Sequence, residues 1–371
     1  MIGKIDKDDV DDIEGFINKK QSNYGSILSI SLTNRCPLKC EHCFINALPS
    51  KGDDMDIKMV SNIASQLKDL QGTITDIGIT GGEPFMKPQE IKIISKAANR
   101  MGATVGVVSS GYWASSRIEA ERIINEHEDI SDYNVSTDVY HLKVVPLTNI
   151  KNAYEAAKKN GKNVTIRFTE GYENLEKERL LLEEIRAFAG KDIHLQSLIP
   201  FGRAEHLDKK FPFTRKKPPI PCLSNGPVIC EDGTVLPCCN ALIAVRKNHP
   251  LVLGNVATET LSTIYKKSST NTLFHFLRLW GSYGLYELLR KSSLSNLLPT
   301  KHMFFNPCYT CAKLFSIPQI NKYLAELVMD FELRLKVASG LRYYLEESIF
   351  LEELFQDEEF KMRVIAEMKG V

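Results

Sequence analysis

Three cysteines stand close together in one short segment, at Cys36, Cys40 and Cys43, with His42 just before the last of them. A [4Fe–4S] cluster is normally held by four cysteine thiolates. This segment offers three and no fourth is near, so a bound cluster would keep one iron with an open coordination position, as a catalytic metal requires. The alternative is a zinc site in which His42 is the fourth ligand.

The six other cysteines form two groups in the second half of the chain. Disulfide frameworks are rare in a reducing compartment, where clustered cysteines point to metal sites instead. The groups are Cys222, Cys230, Cys238 and Cys239, followed by Cys308 and Cys311.

The composition is that of an ordinary globular protein, with 43% hydrophobic and 25% charged residues among 371. The net charge of +1 gives no reason to expect nucleic acid or an anionic membrane as a partner. Residues Met1–Tyr24 lack the apolar core of a secretory signal, and no apolar run is long enough to cross a bilayer. We therefore expect a cytoplasmic protein.

Short runs rich in Ile, Val and Thr alternate with helix-like segments in the first part of the chain. Six such repeats predict parallel strands joined by right-handed crossovers. The predicted fold class is α/β, a partial (β/α)6 TIM-like barrel, because a full barrel would need eight units. The cysteine segment follows the first strand and so lies at the carboxyl end of the sheet, where active sites form. The strands are Ile27–Leu32, Ile74–Thr80, Thr104–Ser109, Asn134–Thr137, Val164–Phe168 and Ile193–Leu198, and the helices are Ile57–Leu70, Pro88–Arg100, Ser116–Glu126, Ile150–Asn160 and Leu175–Ala189.

The pattern changes after Arg203. A basic, proline-rich stretch at Asp208–Pro221 indicates a linker. Leu261–Leu298 indicates a helical insertion whose aromatic residues serve packing, and the chain from Ile320 onward indicates a helical tail. Five regions follow: an N-terminal segment 1–25, the barrel 26–205, a linker 206–221, a cysteine-bearing domain 222–320 and a C-terminal helical segment 321–371.

The Cys-x3-Cys-x2-Cys spacing resembles the signature of radical S-adenosylmethionine (SAM) enzymes, and Thr80-Gly81-Gly82-Glu83-Pro84 resembles their GGEP motif. The resemblance implies that SAM binds the open iron, and that an electron from the cluster cleaves it to methionine and a 5′-deoxyadenosyl radical that abstracts a substrate hydrogen. Glu83 would accept a hydrogen bond from the SAM amine. The other SAM-binding residues that the resemblance implies are His42, Gly81, Gly82, Ser110, Ser136, Asp138 and Arg167.

Two of these assignments have a plain structural alternative. Ser110 and Asp138 lie where the family places ribose contacts, but Asp138 could instead cap the following turn. Arg167 could pair with the SAM carboxylate, or it could form a salt bridge that lines the barrel.

The later cysteines resemble a SPASM domain or its shorter "twitch" form, which attach auxiliary clusters to radical SAM barrels. The resemblance is carried by Cys222, by Gly233-Thr-Val-Leu-Pro-Cys238 on a predicted hairpin, and by Leu253-Gly254-Asn255-Val256. It implies one auxiliary [4Fe–4S] cluster, two clusters in all, and the alternative is a structural zinc ribbon. The implied auxiliary ligands are Cys222, Cys238, Cys308 and Cys311.

Cys239 lies directly beside a predicted ligand. Because successive side chains in extended backbone face opposite ways, Cys239 is expected to face the barrel mouth if Cys238 faces a cluster. A thiol there could donate a hydrogen atom to a carbon radical, and otherwise Cys239 is a small buried hydrophobe. Cys230 follows Val228 and Ile229 on a strand and fits the buried role better.

The combination of a Pro-Cys-Cys sequence, a helical stretch, a late Cys-x2-Cys and Ser110-Gly111-Tyr112-Trp113 resembles radical SAM peptide epimerases of the epipeptide type. This resemblance implies removal of a Cα hydrogen and its return to the opposite face by Cys239. It also implies a precursor peptide as substrate and a flavodoxin- or ferredoxin-type electron donor. Two rivals stay open, a net oxidation such as dehydrogenation or peptide crosslinking with the auxiliary cluster as electron acceptor, and a metal-binding scaffold without catalysis. A small metabolite is the alternative substrate.

Overall fold

The computed structural model describes residues 24–50, 52–171, 175–211, 213–215, 221–224, 226–245, 249–303 and 306–369. Most of the predicted N-terminal segment 1–25 therefore lies outside the described residues. Among the helices of these ranges, none combines the length and apolar character that a membrane span needs.

The first part of the described chain is a parallel sheet with a helix between successive strands, which confirms the predicted β–α alternation. One helix changes type near its predicted end. The α-helix predicted to reach Leu70 ends at Gln66, and a 3₁₀ turn covers Leu67–Leu70. The strands are β1 Ile27–Ser31, β2 Asp76–Thr80, β3 Thr104–Ser109, β4 Asp132–Thr137, β5 Asn163–Glu170 and β6 Ile193–Ser197, and the helices are α1 Ile57–Gln66, α2 Pro88–Arg100, α3 Arg117–Glu126, α4 Leu147–Lys159 and α5 Leu175–Ala189.

Alternation along the strands separates the core from the open side of the sheet. In β1, Leu28 and Ile30 belong to the hydrophobic core shared with the helices, whereas Ser29 between them turns to the other face. In β5, Ile166 and Phe168 join the same core and Arg167 turns away from it. The face opposite the helices, which we term the lumen, is therefore lined by polar side chains.

The hairpin predicted around Gly233 is present and extends the barrel sheet. Its strands are β8 Val228–Ile229 and β9 Thr234–Leu236, and Gly233 supplies the positive φ of +82° at the turn. β8 pairs in parallel with β1, and β9 pairs antiparallel with β10 Gly254–Asn255. Within the described ranges, nine strands thus form one sheet in the order β10-β9-β8-β1-β2-β3-β4-β5-β6.

The rest of the chain is mainly helical and has a second hydrophobic core. That core joins Val228 and Leu236 of the hairpin to apolar residues of the later helices, including the buried Phe274. One helix is interrupted at Gly281, where φ is +66°. The helices are α6 Leu261–Ser269, α7 Thr272–Arg290, α8 Pro307–Phe315, α9 Pro318–Leu327, α10 Phe331–Leu345, α11 Ile349–Leu354 and α12 Glu358–Lys369.

The predicted linker 206–221 contains regular structure where it is described. A 3₁₀ helix covers Gly202–Lys210, and β7 Phe213–Thr214 pairs antiparallel with β11 His302–Met303. Residues 212 and 216–220 lie outside the described ranges. The boundaries of the five regions stay predictions.

Candidate active site

The loop that carries the first three cysteines, Thr33–Ala47, leaves the carboxyl end of β1, and we term it the cysteine loop. Cys36 and Cys40 are buried in it and Cys43 is half-buried. Burial, Glu83 and the two neighbouring thiols raise the pKa of Cys36 to about 12. The Cys36 thiol therefore interacts with the other two thiols of the loop, so the three lie close enough together to be considered as ligands of one metal site.

Gly81 and Gly82 pack directly against the backbone of this loop. The Gly82 N–H donates a hydrogen bond to the Thr33 carbonyl at 2.6 Å. A Cβ on Gly81 would lie 2.3 Å from the Thr33 carbonyl oxygen, and one on Gly82 would lie 2.2 Å from that of Arg35. The missing side chains thus let the loop after β2 support the cysteine loop, while their contact with SAM stays a prediction.

The variant Gly82→Ala is expected to lower the free energy of unfolding by about 3 kcal/mol. The added Cβ would meet backbone atoms of Arg35, which cannot swing aside as a side-chain end can. Urea denaturation measures the loss. The control is Gly106→Ala on β3, where the nearest atom would be 3.6 Å away and the change should stay within about 1 kcal/mol. Equal losses in the two variants would contradict this explanation.

Glu83 is fully buried and binds the segment that follows β3. Its Oε1 accepts from the Ser109 hydroxyl at 2.9 Å and the Phe85 N–H at 3.2 Å, and its Oε2 accepts from the Ser110 N–H at 2.9 Å and hydroxyl at 2.6 Å. Burial raises the pKa of Glu83, although these donors favour its ionised form. Four donors fill the acceptor positions of a carboxylate. The SAM amine, its predicted partner, would have to share an oxygen with one of them.

The aromatic pair after β3 is divided between the core and the site. Trp113 is buried and donates its indole N–H to the Ser109 hydroxyl at 2.9 Å. Tyr112 is half-buried beside the cysteine loop, and burial, Glu83 and Cys36 raise its pKa to about 12. Tyr112 therefore lies next to the first thiol group, a position that its sequence neighbours alone did not reveal.

Asp138 is buried at the end of β4 and binds two histidines. Its Oδ1 accepts from the N–H groups of Tyr140 and His141 at 2.9 Å, which is the turn-capping role given as an alternative. Its Oδ2 lies 2.6 Å from Nδ1 of His141 and 3.2 Å from Nε2 of His42. Burial acts to raise the pKa of Asp138, but the two histidines outweigh it and hold that pKa below its usual range. A ribose contact stays a prediction.

His141 extends this network to a predicted cluster ligand. Its ring interacts electrostatically with the Cys40 thiol, and the Asp138 carboxylate raises the pKa of His141 against the effect of burial. The ligand atoms of His42, Asp138 and His141 lie within 4.8 Å of one another, near enough to hold a metal ion. Both carboxylate oxygens of Asp138 already have hydrogen-bond partners, so no metal ion is needed to explain the network that connects Cys40 to His42.

Two buried polar atoms near the cysteine loop have no hydrogen-bond partner among the described residues. They are Nδ1 of His42 and the hydroxyl of Thr137 at the end of β4. A buried polar atom needs a partner, because its desolvation otherwise costs about 1–3 kcal/mol. The polar adenosyl group of SAM, which the family resemblance predicts here, would supply such partners, so these residues fit the cofactor. Thr137 was absent from the sequence-based set, because a threonine in a strand carries no distinguishing local signal.

Arg203 follows β6, the last strand of the β–α alternation, and binds backbone carbonyls of the cysteine loop. Its Nε and Nη1 donate to the carbonyls of Cys40 and Ala47, each at 2.8 Å, and its N–H donates to the Cys43 carbonyl at 3.0 Å. Buried carbonyls of a loop need such donors. Sequence analysis noted this arginine only as the point after which the β–α pattern changes, and it missed the contact with the loop.

Cys239 lies on the lumen side of the sheet. Its sulfur is in hydrogen-bonding contact with Ser29 of β1 and interacts electrostatically with Arg167 of β5. The Cys239 side chain is exposed at the surface of the lumen, but protein atoms surround it on its other sides. This partial loss of water contact raises the pKa of the Cys239 thiol. The thiol therefore keeps its proton near neutral pH. Ser29 was missed by sequence analysis, although a serine between Leu28 and Ile30 marks the polar face of a strand.

Arg167 and Ser136 are paired across β4 and β5 and face the lumen together. Arg167 donates to the Gln196 side-chain oxygen at 2.7 Å. Among the described residues no carboxylate forms a salt bridge with Arg167. The salt bridge that was the alternative role of Arg167 is therefore not found there, and a hydrogen bond to a neutral amide takes its place. Binding of Arg167 to the SAM carboxylate stays a prediction.

The structure brings Cys222, Cys238, Cys308 and Cys311 together. Each is half-buried, and the four thiols interact electrostatically with one another around Cys238. Cys308 and Cys311 lie three residues apart in α8 and so share one face of the helix. Burial raises the pKa of Cys308 to about 12, with Cys222 adding to the effect. Four thiols in one desolvated place fit a four-cysteine [4Fe–4S] cluster.

Cys230 belongs to neither thiol group. It is fully buried in the second core, at the start of the β8–β9 turn, where its N–H bonds the Thr234 carbonyl at 2.8 Å. This burial agrees with the expected role of a small hydrophobe.

Comparison with known proteins finds two family matches in this chain. Residues 30–168 match the radical SAM superfamily, and residues 222–312 match the SPASM iron–sulfur cluster-binding domain. The first match contains the cysteine loop and Glu83. The second contains the four-thiol group.

Individual relatives extend the comparison. YydG of Bacillus subtilis (strain 168), whose name assigns it to peptide biosynthesis, is 23% identical over 309 residues, which are 81% of this chain and 95% of YydG. AlbA of the same strain, named for biosynthesis of the antilisterial bacteriocin subtilosin, is 32% identical over 83 residues, only 22% of this chain and 18% of AlbA. The solved structure of native anSMEcpe with bound AdoMet is similar in fold, with a TM-score of 0.50 and 14% identity over 81% of this chain and 99% of that one.

Proposed function

The chain is a radical SAM enzyme with a SPASM domain, and from this premise we propose that it converts L- to D-residues in a ribosomally synthesised peptide, with Cys239 as hydrogen-atom donor. The two domains imply SAM, a first [4Fe–4S] cluster and auxiliary iron–sulfur chemistry. The peptide substrate is supported by the names of YydG and AlbA, both tied to peptide products.

The observation that carries this proposal is the divergence of two adjacent cysteines. Cys238 interacts with Cys222, Cys308 and Cys311 and also with its neighbour Cys239, whereas the Cys239 sulfur lies beside Ser29 and Arg167 in the lumen. A protonated, solvent-accessible thiol in the lumen is placed to meet a substrate that enters the barrel. A thiol with a purely structural role, like that of Cys230, would be expected in a core.

When bound, the first cluster and SAM supply the species that removes the Cα hydrogen atom of the substrate residue. Cys239 holds the replacement hydrogen on its sulfur and delivers it to the opposite face. In that step the S–H bond breaks and a new Cα–H bond forms, which leaves a sulfur-centred radical on Cys239. One electron and one proton then restore the thiol, and a flavodoxin- or ferredoxin-type reductant is the proposed source of electrons.

The first cluster ligands in this proposal are Cys36, Cys40 and Cys43, and the auxiliary ligands are the four-thiol group. Glu83 fixes the two loops that flank the SAM site through its bonds to Ser109 and Ser110.

Solvent deuterium tests the proposed reaction. The protein is incubated anaerobically in D2O with SAM, a reductant and a candidate precursor peptide. We expect one deuterium per converted residue at Cα and a D-residue after hydrolysis, with no change in oxidation state. The thiol exchanges its proton with solvent, so the returned atom must carry the label. A D-residue without deuterium would contradict a thiol donor.

A net oxidation is the second candidate, favoured by the electrostatic coupling between Cys239 and Cys238 in the four-thiol group. A radical formed in the lumen would lie near a cluster able to accept its electron. The same incubation decides between the two, since dehydrogenation or crosslinking gives a product lighter by two hydrogens.

A further inference from the structure

Arg278 is a fully buried cation in the otherwise apolar stretch of α7. Its two terminal nitrogens bind the carboxylate of Glu347 in bidentate fashion, at 2.6 and 2.5 Å. Glu347 follows α10, and its side chain is 26% exposed while that of Arg278 is 0% exposed. The cationic end of this ion pair is therefore the interior end.

The interior end lies next to the segments that carry two of the four thiols. The Cys222 N–H donates to the carbonyl of Leu277, the residue before Arg278, at 2.9 Å. On the other side, the guanidinium lies 5.3 Å from the ring of Tyr24, whose hydroxyl donates to the carbonyl of Pro237 at 3.5 Å. Arg278 thus stands between the segments that carry Cys222 and Cys238.

This placement has an electrostatic consequence. The guanidinium of Arg278 is a fully buried positive charge next to the segment that carries Cys222. A buried ion pair is by itself weak support for stability, because apolar residues of the same volume often do as well. A buried arginine beside four thiols therefore calls for an electrostatic explanation.

We propose that the Arg278–Glu347 pair, with its cationic end toward the four-thiol group, raises the reduction potential of the auxiliary cluster. The inference rests on the proposed assignment of Cys222, Cys238, Cys308 and Cys311 as its ligands. Reduction adds one negative charge to a cluster. A cation in a low-dielectric interior stabilises that charge, and the more distant carboxylate of Glu347 weakens the effect.

Removing the charge of Arg278 and removing the charge of Glu347 should shift the auxiliary midpoint potential in opposite directions, and this gives the test. Glu347→Gln removes the negative end and keeps a hydrogen-bonding side chain, so it should shift the auxiliary midpoint potential upward. Arg278→Met removes the positive end and should shift it downward. Glu287→Gln is the matched control, because Glu287 pairs with Arg290 on the surface of the same helix and should leave the potential unchanged.

Redox titration of the holoprotein, followed by EPR, measures both clusters in one sample. The first cluster is the internal reference and should keep its potential in all three variants. An unchanged auxiliary potential in Glu347→Gln, or shifts of the same sign in both variants, would overturn the inference. If Arg278→Met fails to assemble its cluster, Glu347→Gln alone decides, since it retains the buried guanidinium.

This titration needs no peptide and no turnover. A failed potential shift leaves the epimerisation proposal standing, and a failed deuterium experiment leaves the potential shift standing. If Cys222→Ala retains the complete signal of both clusters, the ligand assignment is wrong and this inference falls with it.

Discussion

Replacing Cys239 with alanine is expected to lower the rate of D-residue formation at least about a hundredfold, or about 2.7 kcal/mol in activation free energy. The reason is that the lumen thiol beside Ser29 and Arg167 is the proposed source of the returned hydrogen. SAM cleavage should continue, because neither the cysteine loop nor Glu83 contacts Cys239 in the described structure. The measurement is chiral amino-acid analysis of the peptide, with 5′-deoxyadenosine measured in parallel.

Two controls separate chemistry from damage to the auxiliary site. Cys230→Ala removes a thiol of the second core and should retain most of the epimerase activity. Cys239→Ala should bind as much iron as the native chain, because the partners of the Cys239 sulfur are Ser29 and Arg167 rather than the other three thiols around Cys238. An unchanged rate of D-residue formation in Cys239→Ala would contradict the assignment of Cys239 as hydrogen donor. A loss of about four irons would show that Cys239 is a cluster ligand instead.

Replacing any one of Cys36, Cys40 or Cys43 with alanine is expected to abolish SAM cleavage. The three thiols share one desolvated loop, and no other cysteine of the described chain joins them, so a cluster that loses one ligand has no replacement. Iron content should fall from about eight to about four atoms per chain, since the auxiliary cluster has its own ligands. Iron analysis and 5′-deoxyadenosine formation measure the two effects.

The matched control for this experiment is Cys308→Ala. It should also lose about four irons, but the EPR change that SAM causes at the first cluster should survive. If SAM cleavage persists in a Cys36, Cys40 or Cys43 variant, the cysteine loop does not hold the catalytic cluster. Equal effects of Cys308→Ala and Cys36→Ala on the SAM-induced signal would show that the two sites are not independent.

Local patterns were sufficient to predict the strands, the helices between them and the position of the cysteine loop. β3 and α2 have the predicted bounds, because the alternation of buried residues in a strand and their four-residue spacing in a helix are read within one segment. The prediction that Cys238 and Cys239 face opposite ways used the same local rule, and it stays a prediction. The spacing of Cys36, Cys40 and Cys43 likewise lies within a few residues.

The tertiary structure decided which distant groups meet. Sequence spacing could not show that the hairpin joins the edge of β1 and thereby places Cys239 beside Ser29. It could not show that Arg203 holds a loop 163 residues earlier, or that Arg278 binds a carboxylate 69 residues later. Strand order and helix packing set such contacts, and they depend on the complementary surfaces of whole elements. The spacing of the first three cysteines was therefore enough to predict a radical-generating centre from the sequence, whereas the surroundings of the second cysteine group became visible only in the folded chain.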